Sequence, residues 1–174
     1  MNKRSAGYIV LKSLIFLGVY TALHFGGHVQ HLPVFAVSES PWEHLKVGFY
    51  AASLLVLLEA IWLGIKREVF SWGRFFSSRL TGVLTIPVLL FLLFYLSVAL
   101  WGRITPDWLQ ITYAVAITLA SGLTAAYVEN EFLDFRWEHK PFLLFLTVII
   151  YFIALYLFIQ FTYHLPYYPM FTEP

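Results

Sequence analysis

Five apolar stretches, each about as long as a membrane's hydrocarbon core is thick, constrain this chain more than any other feature. They run Tyr8–Phe25, Val47–Ile65, Leu80–Trp101, Trp108–Val128 and Phe142–Tyr163. A helix needs about 20 apolar residues to cross a bilayer. Barrel strands would be about half that length and would alternate with period two, and these stretches do neither. The predicted fold is an all-α integral membrane protein, a single domain over residues 1–174 built as a bundle of five transmembrane helices. Composition agrees: 60% of the 174 residues are hydrophobic, only 12% are charged, and mean hydropathy is +0.74. Too few charges remain to solvate a water-exposed surface of that size. A net charge of +1 argues against a nucleic-acid partner. Cysteine is absent, which excludes disulfides, thiolate metal sites and cysteine nucleophiles.

Charge predicts an orientation. Lys3, Arg4 and Lys12 lie at the start, Lys66, Arg67, Arg74 and Arg79 between spans two and three, and Arg136 and Lys140 between four and five. The opposite side offers Arg103 as its only clear loop cation. The positive-inside rule then puts the N-terminus inside and the C-terminus outside. The first span begins like a signal peptide, but Leu23-His24-Phe25-Gly26-Gly27-His28 makes a poor cleavage site, so it reads as uncleaved. Trp42, Trp101 and Trp108 are expected in an outer aromatic belt, and Trp62, Trp72 and Trp137 in an inner one. The stretch Val69–Phe76 reads either as an amphipathic segment lying on the inner leaflet or as an aromatic-rich loop. Glu129, Asn130, Glu131 and Asp134 read as an acidic inner turn that caps the fifth helix.

Against this background, Glu39-Ser40-Pro41-Trp42-Glu43-His44-Leu45-Lys46 stands out, with four ionisable residues in eight positions. His24, His28 and His31 lie just upstream. Polar groups held in a membrane segment are costly and mark sites. At helical spacing, Ser13, Tyr20, His24 and His28 form one stripe. Glu43, Lys46 and Tyr50 form a second, continued loosely by Ser53, and Tyr156, Gln160 and His164 a third. These stripes are expected to converge in a small wet cavity at the outer boundary, or else to serve as polar packing seams between helices.

Several members have structural readings. Ser40, Pro41 and Glu43 spell a capping box, in which Glu43 returns a bond to the Ser40 amide. Glu39 suits the positive helix end, and Lys46 is expected to lift its ammonium to the headgroups. His24 and His44 have no such explanation. They are the leading candidates for acid–base or binding work, with Glu39 and Glu43 as carboxylate partners. His24, His28 and His31 are spaced i, i+4 and i+7. With His44 or a carboxylate they form a candidate set for a divalent metal such as zinc, iron or copper, although Gly26-Gly27 weakens the helix between them. No other cofactor is indicated. Glu59, deep in the second span, must find a partner. Lys12 at similar depth is the expected one, as a structural pair or as part of a proton relay.

Leu23-His24-Phe25, the block Glu39–Lys46 and the ending Pro166-Tyr167-Tyr168-Pro169-Met170-Phe171-Thr172-Glu173-Pro174 resemble a prokaryotic multipass membrane family of the domain of unknown function 6512 type. The likeness spans nearly the whole chain, and Trp42–Lys46 is its most specific part. Ser38 and Tyr167 depart from the family's usual asparagine and histidine, and His28 and His31 match nothing in it. The resemblance implies a fold and a site drawing together the first outer loop and the C-terminal tail; it implies no activity. Two functions stay open. One is a small membrane-complex subunit or binding protein with a His/Glu pocket at the outer boundary, partnered by the lipid bilayer and other membrane subunits. The alternative is an intramembrane or interfacial enzyme, with or without metal, using His24, His44 and Glu39 or Glu43 on a lipid-like substrate. A transporter is disfavoured, since Pro87 is the only proline within a span and no repeat is seen.

Overall fold

The apolar runs fold as five long helices: α1 (Ala6–Gly26), α2 (Pro41–Ile65), α3 (Trp72–Trp101), α4 (Asp107–Phe132) and α5 (Pro141–Tyr163). Short 3₁₀ turns occupy Trp137–His139 and Pro169–Phe171. The computed structural model describes residues 4–26, 32–66, 71–102 and 104–171. Two of the candidate metal ligands, His28 and His31, and the loop cation Arg103 lie outside the described residues. Among the described residues there is no strand. All five helices are long and apolar enough to cross a membrane.

Local chemistry sets the helix ends. Ser40 caps α2 and Pro41 opens it, where a missing N–H costs nothing. Ser71 caps α3 by accepting the Arg74 N–H at 3.4 Å. Gly102 ends α3 with φ +69°, a conformation other residues adopt only under strain. Two expectations fail here. Val69 and Phe70 lie outside the described residues, and Trp72–Phe76 form the first turns of α3, with Phe75 buried, neither a separate flat segment nor a loop. Glu129, Asn130 and Glu131 belong to α4, which runs on to Phe132, and α5 starts without a side-chain cap. In both places the helix outlasts the apolar run because its polar residues find partners inside the bundle.

α1 packs on α2 and α4, and α3 packs on the same two, closing a ring of four antiparallel helices. α5 lies outside the ring, beside α3, and reaches α2 through Tyr151 and Phe158. Phe16, Phe49, Leu63, Phe75, Val83 and Ile86 are among the core residues. Gly122 leaves room for the Phe16 ring, and Gly48 for Ile86 and Leu90, so the helices approach closely at both points. Outward faces stay apolar: Val10, Leu11, Leu14 and Ile15 of α1 are exposed, as are Phe142, Phe145, Phe152 and Ile153 of α5. Trp62, Trp72, Trp101 and Trp108 are exposed, whereas of the other two expected belt residues Trp137 is buried and Trp42 half-buried. The Trp137 indole donates to the Phe132 carbonyl at 3.2 Å, and Trp42 lies among Phe158, Phe161 and Phe171.

Candidate functional site

The antiparallel ring brings distant polar residues together at each of its ends. Where α1 begins, each of the four ring helices supplies a charged group. Glu59 of α2 takes a two-pronged contact from Arg79 of α3, with Nε 2.9 Å from Oε2 and Nη2 2.5 Å from Oε1. That fork matches carboxylate geometry and is among the stronger ion-pair arrangements. Lys12 of α1 lies 3.2 Å from Glu59 Oε2 and also pairs with Glu129 of α4. Arg79 Nη1 reaches Glu129 at 3.4 Å, and the Tyr8 hydroxyl donates to Glu59 Oε1 at 3.0 Å. Two cations thus face two carboxylates. Glu59 does meet Lys12, but Arg79, Glu129 and Tyr8 complete the group, and sequence reasoning had assigned them to a loop, a turn and a span boundary. A Cβ on Gly82 would collide with the Glu129 side chain, so a glycine is needed where that chain passes α3.

The opposite end holds His24, on the last turn of α1, and His44, on the first turn of α2. Their rings stack with centroids 5.0 Å apart and planes at 22°. The cap at Ser40 sets the start of α2, and so places His44. Glu39, just before the cap, turns one oxygen to each imidazole: Oε1 lies 3.5 Å from His24 Nε2 and Oε2 3.6 Å from His44 Nε2. The Tyr20 hydroxyl is 2.9 Å from His44 Nδ1, in a bond whose donor depends on the tautomer. His24 Nδ1 is buried without a hydrogen-bond partner. The expected pairing of His24 with His44 is present, with Tyr20 as an unforeseen member.

Glu43 and Lys46 take a different course. Ser40 Oγ accepts the Glu43 N–H at 3.4 Å, but the return half of the capping box is not made. The Ser40 amide goes to Ser38 Oγ at 3.3 Å, while Glu43 Oε2 accepts from the Val37 amide at 2.9 Å and from Lys46 at 2.6 Å. Lys46 does not rise to the surface. It is fully buried and also donates to Thr162 of α5 at 3.1 Å. A carboxylate and a hydroxyl within reach replace the solvation that an extended lysine would seek. The second polar stripe therefore faces α5, away from His44. The third does not converge: Tyr156 and His164 are exposed, and Thr162 takes their place. The tail differs from expectation as well. Phe171 packs on Trp42 at 4.8 Å, on the α5 side of α2, and no described tail residue lines the histidine side.

That side opens into a cavity of about 360 Å³ between the start of α2, the end of α3 and the start of α4. Its polar lining comes from Tyr20, Glu39 and His44 on one side and from Gln110, Tyr113 and Thr118 of α4, and Leu90, Phe91, Phe94 and Ile117 are among its apolar walls. The α3 and α4 residues escaped sequence reasoning because nothing in their own stretches marks which face turns toward His44. Size and lining match a small-molecule site, mostly apolar with a few placed polar groups. Among the described residues, no three histidine, aspartate or glutamate side chains are grouped to hold a metal ion. No family model, curated protein or solved structure matches the chain.

Proposed function

We propose that this chain is a five-span membrane protein that binds a small amphiphile in the pocket of Tyr20, Glu39 and His44, backed by His24, acting alone or as a subunit of a membrane complex. The cavity carries the reading: a mostly apolar space that includes the Tyr20, Glu39 and His44 cluster in its lining is complementary to a molecule with a polar head and a greasy body. Exposed apolar faces on α1 and α5 support a lipid surround, or a neighbouring subunit against α5. The Lys/Arg bias supports an N-terminus inside and a C-terminus outside, which puts the pocket at the outer boundary. A reporter fused at Pro174 is then active only on the outer side; cytoplasmic activity overturns the orientation. The family resemblance belongs to the same reading, since its most specific block, Trp42–Lys46, supplies His44.

The binding test uses Ala114→Trp, which fills the cavity from an exposed position on α4. Extraction of the purified wild-type protein yields a bound amphiphile, and the variant yields far less. Equal recovery from both overturns the reading. A second reading, an enzyme acting on the bound molecule, is favoured by one observation: Glu39 bridges two imidazoles while Tyr20 engages the far nitrogen of His44, a chain of proton-exchanging groups. Glu43 has no part in it, being paired with Lys46 and the Val37 amide. Chemical change of the extracted amphiphile on incubation with wild type, but not with His44→Phe, supports the enzyme over the binding protein.

A further inference from the structure

We propose that the cavity is loaded sideways from the membrane: its mouth opens over the ends of α1 and α2 into the leaflet on that side, and its ligand is a membrane-resident amphiphile that enters without crossing water. The inference rests on the binding reading above and adds the source of the ligand and its route.

Helix register builds the mouth. Gly48 of α2 faces the Ile86 and Leu90 side chains of α3. The two helices run antiparallel, so Pro41, where α2 starts, lies level with about residue 95 of α3. α3 runs on to Trp101, about 9 Å further. Gly122 of α4 faces the Phe16 ring of α1, which sets Gly26, where α1 ends, level with about residue 112 of α4. α4 starts at Asp107, about 7 Å beyond that level. The α3–α4 hairpin therefore stands above a shelf formed by the ends of α1 and α2.

The cavity is lined from both levels. Pro41 and His44 belong to the shelf, and Val98, Gly102, Ile104 and Gln110 to the hairpin. Gly102 and Ile104 lie at the turn that joins α3 to α4, so that turn overhangs the cavity from its water side. α3 and α4 wall the cavity below the turn. Among the described residues, the open side is the step above the shelf.

Apolar exposure places the step within lipid. Leu100, Trp101, Trp108 and Ile111 of the hairpin are exposed, and so are Leu32, Val34 and Val37 of the segment leading to α2. In water these would be apolar patches on both sides of the mouth; in a leaflet, lipid solvates them. Trp101 and Trp108 suit the headgroup level, which puts the shelf at the junction of headgroups and chains. An amphiphile in that leaflet already holds its head at the height of the step. Gln110 and His44 offer polar groups to the passing head, and Leu90 and Phe94, deeper on α3, flank the body that follows. The apolar body then leaves lipid for protein and never meets water.

The test uses the full chain in phosphatidylcholine nanodiscs and two photoreactive probes. One is a two-chain phosphatidylethanolamine whose head carries a short alkyl diazirine, which its anchor confines to the leaflet. The other is a diazirine-bearing glucose, which stays in water. Labelled residues are mapped by peptide mass spectrometry. The anchored probe is expected to label Phe94 and Ile117 inside the cavity. The sugar probe is expected to label Thr105 at the exposed hairpin tip and to leave Phe94 and Ile117 unlabelled. Ala114→Trp abolishes cavity labelling by the anchored probe and leaves labelling of Phe145 and Phe152 on the exposed face of α5 unchanged. Gln110→Trp, one turn away on the same cavity wall, gives an independent block if the first variant does not fold. Cavity labelling by the sugar, or none by the anchored probe, overturns lateral entry, and the binding reading stands as long as extraction still yields a bound amphiphile. Cavity labelling by the anchored probe that persists in both tryptophan variants also overturns it, because the label then arrives by another path. The expected labelling together with equal amphiphile recovery from wild type and Ala114→Trp supports the lateral mouth and overturns the binding reading instead.

Discussion

The two ends of the four-helix ring treat polar groups in opposite ways. Where α1 begins, Lys12 and Arg79 face Glu59 and Glu129, the charges balance, and each carboxylate meets both cations or their hydroxyl neighbour. Where α1 ends, Glu39 meets His24 and His44 only at 3.5 and 3.6 Å, the buried Nδ1 of His24 has no partner, and a cavity adjoins. A closed group of this kind holds helices in register; an open one leaves capacity for something else. The contrast teaches that polar residues in an apolar bundle are informative chiefly through whether they satisfy one another.

The largest effect should come from breaking the closed end. Arg79 is almost fully buried, and its removal leaves Glu59 and Glu129 to share the Lys12 ammonium, with the Tyr8 hydroxyl on Glu59. Leaving a buried charge uncompensated typically costs about 3–5 kcal/mol. Arg79→Met is expected to lose about that much, measured as unfolding in detergent. Glu59→Ala should destabilise more than the double variant Glu59→Ala/Lys12→Met, which removes one charge of each sign. A double variant no better than the single would show that charge balance is not what stabilises this end.

Next comes Gly82→Ala. Its new Cβ would meet the Glu129 side chain, which is held by Lys12 and Arg79 and cannot swing away freely. Overpacking of this kind costs about 1–3 kcal/mol. The same change at Gly64, with nothing near its Cβ, should be neutral or slightly stabilising, since Ala favours helix over Gly. Similar melting temperatures for the two variants would show that Glu129 yields easily and that the cluster is loose.

These residues also show what one sequence can and cannot reveal. Lys12 and Glu59 were legible as a pair because counting residues places them at matching depth on adjacent spans. Arg79 and Glu129 were not: apolar counting starts the third span at Leu80 and ends the fourth at Val128, whereas the helices run from Trp72 and to Phe132. A charge satisfied within the bundle extends a helix past its apolar run, and its partner lies on another helix. His24 and His44 were legible because a cap fixes one and the end of an apolar run fixes the other. Lys46 was misplaced because its long side chain offers two solutions, and Thr162 of α5, which selects the buried one, is more than a hundred residues away. The cavity walls depend on the rotation of α3 and α4 about their axes, which amphipathic pattern does not specify in helices apolar on every side.

A smaller effect is expected at the junction between the two kinds of region. Ser40 caps α2 and thereby sets the position of both His44 and the buried Glu43–Lys46 pair. Ser40→Ala should cost about 1 kcal/mol, the usual worth of an N-cap side chain. If the cap positions His44, ligand retention falls with it, while Ser71→Ala, which removes the cap of α3 at the other end, leaves retention unchanged. Equal retention in both variants would separate the cap from the site.

The smallest effect on stability, and the sharpest test of the comparison, is His24→Phe. A phenyl ring keeps the stacking surface against His44 and Tyr20. It removes the buried Nδ1 that has no partner, which offsets the loss of the long contact to half-exposed Glu39. The net change should stay within about 0.5 kcal/mol, in the range of surface substitutions despite the residue's burial. The ligand should respond differently, because the carboxylate of Glu39 then faces one imidazole instead of two. Amphiphile retention is expected to fall severalfold at unchanged melting temperature. A stability loss as large as that of Arg79→Met would mean that His24 belongs to a closed, structural cluster like the one at the other end. Retention unchanged along with stability would mean that the open geometry at His24 serves no ligand, and the contrast between the two ends would then be one of packing alone.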